Sequence, residues 1–531
     1  MSAVQGLLLF AAALLCLSLG IARMPVTDRD EARFAQASKQ MAASGDWIDI
    51  RLQDAPRYKK PVGIYWLQAG LTTAIGAAGS SNIAQYRMVS VIAAALCILA
   101  LAWAGAPLVG AMPALAAGVM MASTIVLGAE ARIAKTDAAL LLATILAMGA
   151  LARAAMGAVQ GWQVPAVFWT AIAAGILIKG PLILAPVTCA ALWTSLSRRS
   201  AAWLRSLKPL PGLAWCAVLA APWFIAITFV AGEAFWAESL GRDFAAKIEG
   251  PQESHGAPPG SYLLALWVTG WPWAALAPFA AWALWRDWRS PEVGFLLGWL
   301  IPFWLVLEIV PTKLLHYTMP VYPALMLLIA LAVSRVGLPR GWGLVAAVAL
   351  WLAGGAVLTG ATFALPYTLG DGGAWLAGSA ALLSLGIGAA GIWAVRTAAP
   401  GQRRFTAGFA AIAVSSVAMI WTVVALAMPA AKDVLISQRL AALSACHEGQ
   451  IIIGGYGEPS AAFLMGTDIV LTSPEGARAA LAATPGALAW IDSPGTTGGI
   501  RVAGTNYSNG RPVSLQLFLY PDRPAEEAPC S

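Results

Sequence analysis

The chain has 531 residues, of which 59% are hydrophobic and 11% are charged, whereas roughly a quarter of the residues in an ordinary soluble domain are charged. This composition excludes a soluble enzyme. The formal charge of +7 comes from basic residues in short segments between apolar blocks, where they orient a membrane protein rather than contact nucleic acid.

Apolar blocks near 20 residues long recur along the chain, and about 20 such residues cross a hydrocarbon core of about 30 Å. The blocks predict an all-α polytopic membrane bundle with about thirteen transmembrane helices. The short pair between 163 and 196 can also be read as one re-entrant hairpin. The predicted spans lie near residues 4–22, 85–105, 107–127, 137–155, 163–178, 181–196, 212–231, 262–285, 292–309, 318–334, 341–363, 373–395 and 405–428.

The loops fall into two alternating sets, which gives the orientation. One set is short and basic, and basic loops stay in the cytoplasm. The other set is longer and richer in acids, and we place it on the external, periplasmic face of a bacterial inner membrane. The external segments are 23–84, 128–137, 232–261 and 310–317.

The last hundred residues differ from the rest of the chain. Strand-like runs at 450–454 and 514–520 alternate with turn signals and a helical stretch at 475–482. The sequence therefore predicts a transmembrane domain at 1–429 and a small α/β external domain at 430–531. A disulfide between Cys446 and Cys530 is left open, because a sequence cannot give the separation of two Cα atoms.

The first external loop, 23–84, carries an unusual density of acids. Asp28, Asp30 and Glu31 lie within four residues of each other, just after a span. Acids at a helix start also match the helix dipole, so a purely structural interpretation stands beside the functional one. The functional interpretation is that these carboxylates polarise an acceptor hydroxyl or orient a cation.

A basic cluster follows about 25 residues later in the same loop. Arg57, Lys59 and Lys60 lie beside Tyr65 and Trp66. Cations with aromatic rings at headgroup level attract a lipid phosphate. The alternative is a general interfacial anchor.

Three further external loops add ionisable residues to the same face. Glu130 and Asp137 lie at the mouth of a span, where a charge is costly unless it is paired or functional. His255 lies in a polar loop, and Lys313 and His316 precede a helix that Pro320 interrupts. Each histidine is equally explained as an ordinary surface or packed residue.

Several of these motifs resemble one family. In order along the chain they look like the first periplasmic loop and later motifs of the ArnT-like lipid A glycosyltransferases, which transfer 4-amino-4-deoxy-L-arabinose and are related to protein O-mannosyltransferases of the GT-C superfamily. The motifs are Asp30-Glu31-Ala32-Arg33-Phe34-Ala35, Ser44-Gly45-Asp46-Trp47, Lys60-Pro61, Tyr65-Trp66-Leu67-Gln68, Ala134-Lys135-Thr136-Asp137, Lys179-Gly180-Pro181, Lys313 with Tyr317 and Pro320, and Asn506-Tyr507-Ser508-Asn509-Gly510-Arg511.

The resemblance implies a GT-C bundle that moves a sugar from undecaprenyl phosphate to lipid A or a related envelope acceptor. It implies Asp30 as the carboxylate at the acceptor, with Asp137 as a second acidic partner, and we add Glu31 as a third catalytic candidate. The predicted substrate-binding residues are Arg33, Arg57, Lys59, Lys60, Lys313, Tyr317 and His255.

One position departs from the family pattern. The residue before the phosphate-binding Lys60 is usually Glu in these enzymes, whereas here it is Lys59. A cation at this position disfavours the metal geometry of the family, so no cofactor is assigned and a divalent metal is left open. Arg57 and Lys59 also make the pocket more positive, and the sugar stays unassigned among a hexuronic acid, a hexosamine and aminoarabinose.

Two alternative functions remain. A protein O-glycosyltransferase would use the same donor with Ser or Thr hydroxyls as acceptors, and Asp30 would then be required as a base. A flippase of lipid-linked sugar would hold the headgroup with similar cations, but it predicts inverted repeats and charges near the bilayer midplane.

Overall fold

The computed structural model describes residues 3–239, 256–370, 372, 375–399, 401–494 and 498–527. Helices dominate this part of the chain, because its apolar runs satisfy their backbone hydrogen bonds internally only as helices. Two residues discussed above, His255 and Cys530, lie outside the described ranges. The predicted Cys446–Cys530 disulfide and the His255 site therefore stay predictions.

Nine helical segments in the described ranges are long and apolar enough to cross a membrane. A tenth is the pair Ser261–Thr269 and Trp273–Asp287, which is bent by 115°. Two apolar helices, Val4–Ser18 and Ala111–Ala122, are shorter. The nine segments are Ile83–Val109, Asp137–Ala155, Gln163–Arg198, Pro209–Ala231, Pro291–Ile309, Leu315–Val336, Gly341–Thr368, Trp375–Arg396 and Arg403–Ala430.

These segments confirm the predicted helical membrane bundle, and they support the count of thirteen spans only in part. The predicted pair between 163 and 196 forms one helical run by length and composition. Within this run, a 3₁₀ segment at Gly180–Ile183 joins the helices Gln163–Lys179 and Leu184–Arg198.

The other helices are either parts of the long helical runs given above or lie between those runs. They are Ala3–Ser18, Asp30–Ser44, Gly63–Ala74, Ile125–Glu130, Glu233–Trp236, Ala277–Leu284, Tyr322–Val336, Arg403–Thr422, Met428–Ala430, Ile436–Ser444, Pro459–Met465 and Pro474–Ala483.

The helix Ile83–Val109 is the centre of the bundle. It packs against the first helix, against Ala111–Ala122 and against Asp137–Ala155. Small residues allow the close approach, because a Cβ at Gly149 would lie 2.6 Å from the Cβ of Ala104 and a Cβ at Gly118 would lie 2.6 Å from the carbonyl oxygen of Ile98. Close backbone approach replaces the hydrophobic effect as the packing force inside a membrane.

The first external loop is folded. It contains the helix Asp30–Ser44, a short hairpin of β1 (Arg51–Leu52) and β2 (Ala55–Pro56), and the helix Gly63–Ala74. The helix Asp30–Ser44 ends at Gly45, whose φ of 74° lies in the left-handed region that a helix terminus of this kind requires.

The C-terminal residues form a mixed sheet. Its order is β4-β3-β5-β7-β6, and β8 also pairs with β7. β3 is parallel to β4 and β5, whereas β7 is antiparallel to β5, β6 and β8. The strands are β3 (Ile451–Gly454), β4 (Val470–Thr472), β5 (Leu488–Asp492), β6 (Arg501–Thr505), β7 (Pro512–Leu519) and β8 (Arg523–Pro524).

Alternate residues of a strand point to opposite sides of a sheet. In the central strands β3 and β5, the residues on both sides are buried. Ile453 and Trp490 lie in one apolar cluster, and Ile452 and Ala489 lie in another with Leu481 of a covering helix. The two predicted strands and the predicted helix of this region are confirmed. The domain boundary at 429/430 stays a prediction.

The C-terminal sheet unit rests on the first external loop. The side-chain amide of Gln53 donates to the carbonyl oxygens of Thr467 and Ile469, at 2.9 and 2.8 Å. Lys39 donates to the carbonyl oxygen of Phe463, and the Phe463 ring packs edge-on against Tyr86 with centroids 5.5 Å apart. The loop is therefore held between the bundle and this unit.

A buried ion pair fixes the start of the loop to the bundle. Nε and Nη2 of Arg87 contact the two carboxylate oxygens of Glu31 at 2.7 and 2.8 Å, and neither side chain is exposed. Arg87 also donates to the carbonyl oxygens of Ile21, Met24 and Pro25. All five of these contacts reach the segment 21–31, so Arg87 fixes where loop one starts.

Replacing Arg87 with Met should leave the buried Glu31 carboxylate without its cation, with hydrogen bonds from Thr27 and Ala134 only. We expect a loss of about 3–5 kcal/mol in the free energy of unfolding. Thermal unfolding of the full chain in detergent measures it. The matched control is Arg478→Met, which breaks the half-exposed pair of Arg478 with Asp522 and should cost under about 1 kcal/mol. Equal shifts in the two variants would contradict a special role for the buried pair.

Candidate active site

Asp30 begins the helix Asp30–Ser44. The preceding residue, Arg29, has φ 63° and ψ −116°, a conformation that is costly for any residue with a Cβ. The guanidinium of Arg29 donates to the carbonyl oxygen of Ser508 in the C-terminal unit. Glu31 on the other side is anchored by Arg87. The two contacts hold the strained turn and aim the Asp30 side chain.

Part of the Asp30 side chain is exposed to solvent and protein surrounds the rest of it, so that it lies at the top of a recess. Burial alone would raise its pKa, but the positive charges of Lys135, Arg57, Arg33 and Lys179 outweigh burial and hold the pKa below its usual range. Asp30 is therefore ionised at neutral pH and is surrounded by these four positively charged side chains.

A set of buried ionisable residues, which we call the charged cluster, lies beneath this recess. It consists of Glu130, Lys135, Asp137, Lys179 and His316. Lys179 Nζ lies 2.6 Å from Asp137 Oδ1, and Lys135 Nζ lies 3.0 Å from Glu130 Oε2. His316 lies between the two acids, with Nε2 3.6 Å from Asp137 Oδ1 and Nδ1 3.6 Å from Glu130 Oε1.

Element ends bring the charged cluster together. Glu130 ends one helix, Asp137 begins the next and Lys179 ends a third. His316 lies in the 3₁₀ segment Leu315–Val321. An acid at a helix start and a cation at a helix end also suit the helix dipoles. All five side chains are at most 13% exposed, so they interact in a medium that screens little.

The predicted cations of the first loop occupy different positions. Arg57 is buried, donates from Nε to the Tyr65 hydroxyl at 3.2 Å, and lies over the Phe34 ring. Lys59 is exposed, and Arg33 and Lys60 are half-buried. Of these four residues, Arg57 and Arg33 act on the Asp30 carboxylate.

Two predicted residues have contacts that differ from their predicted roles. Lys313 Nζ donates to the carbonyl oxygens of Leu307, Glu308 and Val310, at 3.3, 2.9 and 2.7 Å, and so closes the end of the helix Pro291–Ile309. Glu31 is committed to Arg87. We therefore propose structural roles for both residues in place of substrate binding and catalysis.

Tyr317 lies beside the charged cluster, as predicted for a residue that lines the site. Its ring centroid is 5.7 Å from Lys179 Nζ, and it packs edge-on against the His316 ring with centroids 5.0 Å apart. The structure therefore brings together the predicted Asp30, Asp137, Arg33, Arg57 and Tyr317, and their roles stay predictions. His255 is outside the described ranges.

The sequence analysis did not assign Glu130, Lys135, Lys179 or His316 to the site. Each of them is an ionisable residue at the end of an apolar span or next to one, which is the available signal. What a sequence cannot give is that four such ends meet at one point. Within the described ranges, no group of three or more His, Cys, Asp and Glu side chains is arranged to hold a metal ion.

An apolar groove of about 840 Å³ opens beside the charged cluster. It lies between the loop-one helix Gly63–Ala74 and three membrane helices. At one end it reaches Ala139 and Ile178, which are close neighbours in sequence of Asp137 and Lys179. The other lining residues are Trp66, Leu67, Gly70, Leu71, Val89, Ile92, Ala93, Leu96, Leu142, Ala143, Leu146, Ala166, Val167, Thr170, Ala171 and Ala174.

Solved structures match this architecture across nearly the whole chain. The crystal structure of ArnT from Cupriavidus metallidurans bound to undecaprenyl phosphate aligns with a TM-score of 0.75 and 19% identity, over 97% of this chain and 98% of that chain. Its apo state aligns with a TM-score of 0.74. The chain has the fold of these two structures.

Sequence comparisons agree with the fold. Residues 59–225 match the family described as dolichyl-phosphate-mannose-protein mannosyltransferase. Two curated relatives are undecaprenyl phosphate-alpha-4-amino-4-deoxy-L-arabinose arabinosyl transferases. The Pectobacterium carotovorum protein is 30% identical over 57% of this chain, and the Sodalis glossinidius protein is 30% identical over 64% of it. The chain spans just over half the length of the curated relatives it matches, 54% and 63% for these two.

The C-terminal unit contacts loop one at residues next to Asp30. Asp28 is buried against it, and its Oδ1 accepts a hydrogen bond from the Ser460 backbone N–H at 3.2 Å. Glu458, nearby, accepts from the Ser508 hydroxyl at 2.7 Å. Burial and the neighbouring Glu458 charge raise the pKa of Asp28 to about 7.

Because the folded pKa of Asp28 is raised, its ionisation opposes folding, and the cost grows between about pH 4 and pH 7 and is constant above that. Asp28→Asn removes the charge and keeps an oxygen for the Ser460 N–H. We expect the variant to be more stable than wild type at pH 8 by about 2–4 kcal/mol, and by much less at pH 4.5. Thermal unfolding at the two pH values measures the difference. Asp54→Asn, in an exposed turn of loop one, is the control, and a pH-independent gain in Asp28→Asn would contradict the assignment.

Proposed function

We propose that this chain transfers a sugar from undecaprenyl phosphate to lipid A or a related envelope acceptor on the periplasmic face of the bacterial inner membrane. The observation that carries the proposal is the apolar groove, whose lining includes Ala139 and Ile178, within two residues of Asp137 and Lys179 of the charged cluster. A polyprenyl-phosphate donor has these two parts, an apolar chain and an anionic head.

The donor is held in two ways under this proposal. The polyprenyl chain lies in the groove between the loop-one helix and the membrane helices. Its phosphate meets Lys179 and Lys135, with Arg57 and Arg33 at the recess above. Preorganised cations in a site that screens little stabilise the negative charge that develops as the phosphate departs.

In the transfer step, an acceptor oxygen attacks the anomeric carbon of the sugar. The bond from that carbon to the phosphate oxygen breaks, and polyprenyl phosphate leaves with the electron pair, so that the configuration is inverted. Asp30 lies ionised at the top of the recess, where it accepts a proton from a hydroxyl acceptor or orients an acceptor that is already ionised.

The comparisons support the donor more strongly than the acceptor. The matched curated relatives are named for an undecaprenyl-phosphate donor, and the matched crystal structure contains undecaprenyl phosphate. Residues 59–225, which match the mannosyltransferase family, include Lys60, Asp137 and Lys179. The groove lies within the same range.

A protein O-glycosyltransferase remains the second candidate, because the family matched by residues 59–225 is described as acting on protein. The residues that would meet an acceptor lie largely outside that range, at Asp30 and in the C-terminal unit. The charged cluster lies at helix ends rather than in mid-span, which favours a transferase over a flippase of lipid-linked sugar.

Replacing Asp30 with Asn removes the proposed acceptor carboxylate and should reduce the modification at least about 100-fold, the usual contribution of a positioned acid or base. The measurement is mass spectrometry of lipid A and of envelope proteins from cells that carry the native gene, the variant or a deletion. Asp54→Asn, in the exposed turn of the same loop, should leave the modification intact.

The readout also separates the acceptors. A mass increment on lipid A that requires the native gene supports the proposed function, whereas a sugar lost only from a protein favours the second candidate. Full modification with Asp30→Asn, combined with none after deletion, would show that the site assignment is wrong.

The groove has a direct test in Gly70→Phe. Gly70 lines the groove, and a Cβ there meets no atom within 4 Å, so we expect the ring to occupy the groove. We expect binding of undecaprenyl phosphate to weaken about tenfold or more, since each buried CH₂ of the displaced chain contributes about 0.8 kcal/mol. A short-chain polyprenyl phosphate should be affected less.

The control for this variant is Gly360→Phe. Gly360 lies on the helix Gly341–Thr368, and a Cβ there also meets nothing within 4 Å. Binding measured by native mass spectrometry should be unchanged in this variant. Equal affinities in both variants would show that the chain of the lipid lies elsewhere.

A further inference from the structure

Asp137 shares one oxygen between two partners. Lys179 Nζ lies 2.6 Å from Oδ1, and His316 Nε2 lies 3.6 Å from the same atom. The other oxygen, Oδ2, is 3.7 Å from Lys135 Nζ and 3.5 Å from the Thr136 hydroxyl. Without a donor, Lys179 is therefore the close partner of Asp137.

The His316 ring joins the two acids of the charged cluster. Nδ1 faces Glu130 Oε1 at 3.6 Å and Lys135 Nζ at 3.5 Å, while Nε2 faces Asp137. Tyr317 packs edge-on against the ring, and the charge of Asp30 acts on it from the recess above. A neutral imidazole with its proton on Nε2 can accept at Nδ1 and donate toward Asp137 at once.

Glu130 can supply the proton that this arrangement needs. Its carboxyl is fully enclosed, and burial raises its pKa to about 7. A large share of Glu130 is therefore protonated at neutral pH. When it ionises, Lys135 Nζ is already 3.0 Å from Oε2 and compensates the new charge.

Donor binding creates a charge problem for Asp137. This step rests on the proposed function, in which Lys179 turns toward the donor phosphate. Asp137 would then be a buried carboxylate without its closest cation, which is strongly unfavourable. A substitute cation must come from within the charged cluster.

We propose that His316 is a positioning residue that replaces Lys179 as the partner of Asp137 when the donor phosphate binds, using a proton from Glu130. The Glu130 O–H bond breaks and an N–H bond forms at Nδ1. The imidazolium then donates from Nε2 to Asp137 Oδ1. No proton enters or leaves the site, and the resting distances of 3.6 Å shorten to hydrogen bonds as Lys179 withdraws.

The test is the affinity of the full chain for undecaprenyl phosphate alone, measured in nanodiscs between pH 6 and pH 8.5. Wild type is compared with His316→Gln and Glu130→Gln. Glu130→Gln lacks the proton donor and His316→Gln lacks the proton acceptor, so neither variant can make the transfer and we expect each to bind about tenfold or more weakly at pH 6.5. Wild-type affinity should fall toward that of Glu130→Gln as the pH rises above about 7, because Glu130 is then ionised and has no proton to give. The ionisation of the ligand itself affects wild type and variant equally.

Glu130→Gln also distinguishes this role from a structural one. Gln has the size of a protonated Glu and keeps its neutrality, so a merely structural Glu130 would tolerate the change with wild-type affinity. Thermal unfolding shows whether each variant is folded. If His316→Gln does not fold, Glu130→Gln alone decides.

Lys179→Met separates this inference from the proposed function. If Lys179→Met binds undecaprenyl phosphate as wild type does, the donor phosphate lies elsewhere and the proposed donor site fails. If Lys179→Met loses binding while His316→Gln and Glu130→Gln keep the wild-type affinity and pH profile, the donor site stands and the proton exchange is overturned.

Discussion

The bidentate ion pair between Glu31 and Arg87 is the constraint on which the rest of the site depends. Arg87 belongs to the central helix of the bundle, and it also donates to the backbone carbonyls of Met24 and Pro25 in loop one and of Ile21 just before it. Breaking such a buried pair leaves an uncompensated charge, which is far more costly than losing a surface contact. The pair therefore restricts the position of Asp30, which directly precedes Glu31 in the sequence.

The site consists of acidic and basic side chains, several of which lie at helix ends. Asp30 lies above, and the charged cluster lies below with two acids, two lysines and one histidine. Charges at this depth are stable only when each has a partner. Under the proposed function, a donor phosphate that enters this site takes a cation from a carboxylate already present, so binding requires an exchange of partners.

The C-terminal unit completes the site from the opposite side. Arg29 reaches Ser508, and Asp28 reaches Ser460, so two of the residues that flank Asp30 are held by that unit. The strained backbone at Arg29 is maintained from both ends. The surroundings of Asp30 are thus a joint product of loop one and of residues in the C-terminal unit more than 400 positions further along the chain.

The sequence by itself determined the membrane bundle, most of its span positions, the acidic loop one and the strands of the tail, because apolar length and period are local properties. Only the tertiary structure decided what each charge does. Asp30 and Glu31 are adjacent, yet a helix rotates them about 100° apart, so one faces the recess and the other Arg87. Lys313 is consumed by backbone carbonyls, while Glu130 and His316 meet only through packing of separate helices. Partner choice is a long-range property that residue type and spacing do not contain.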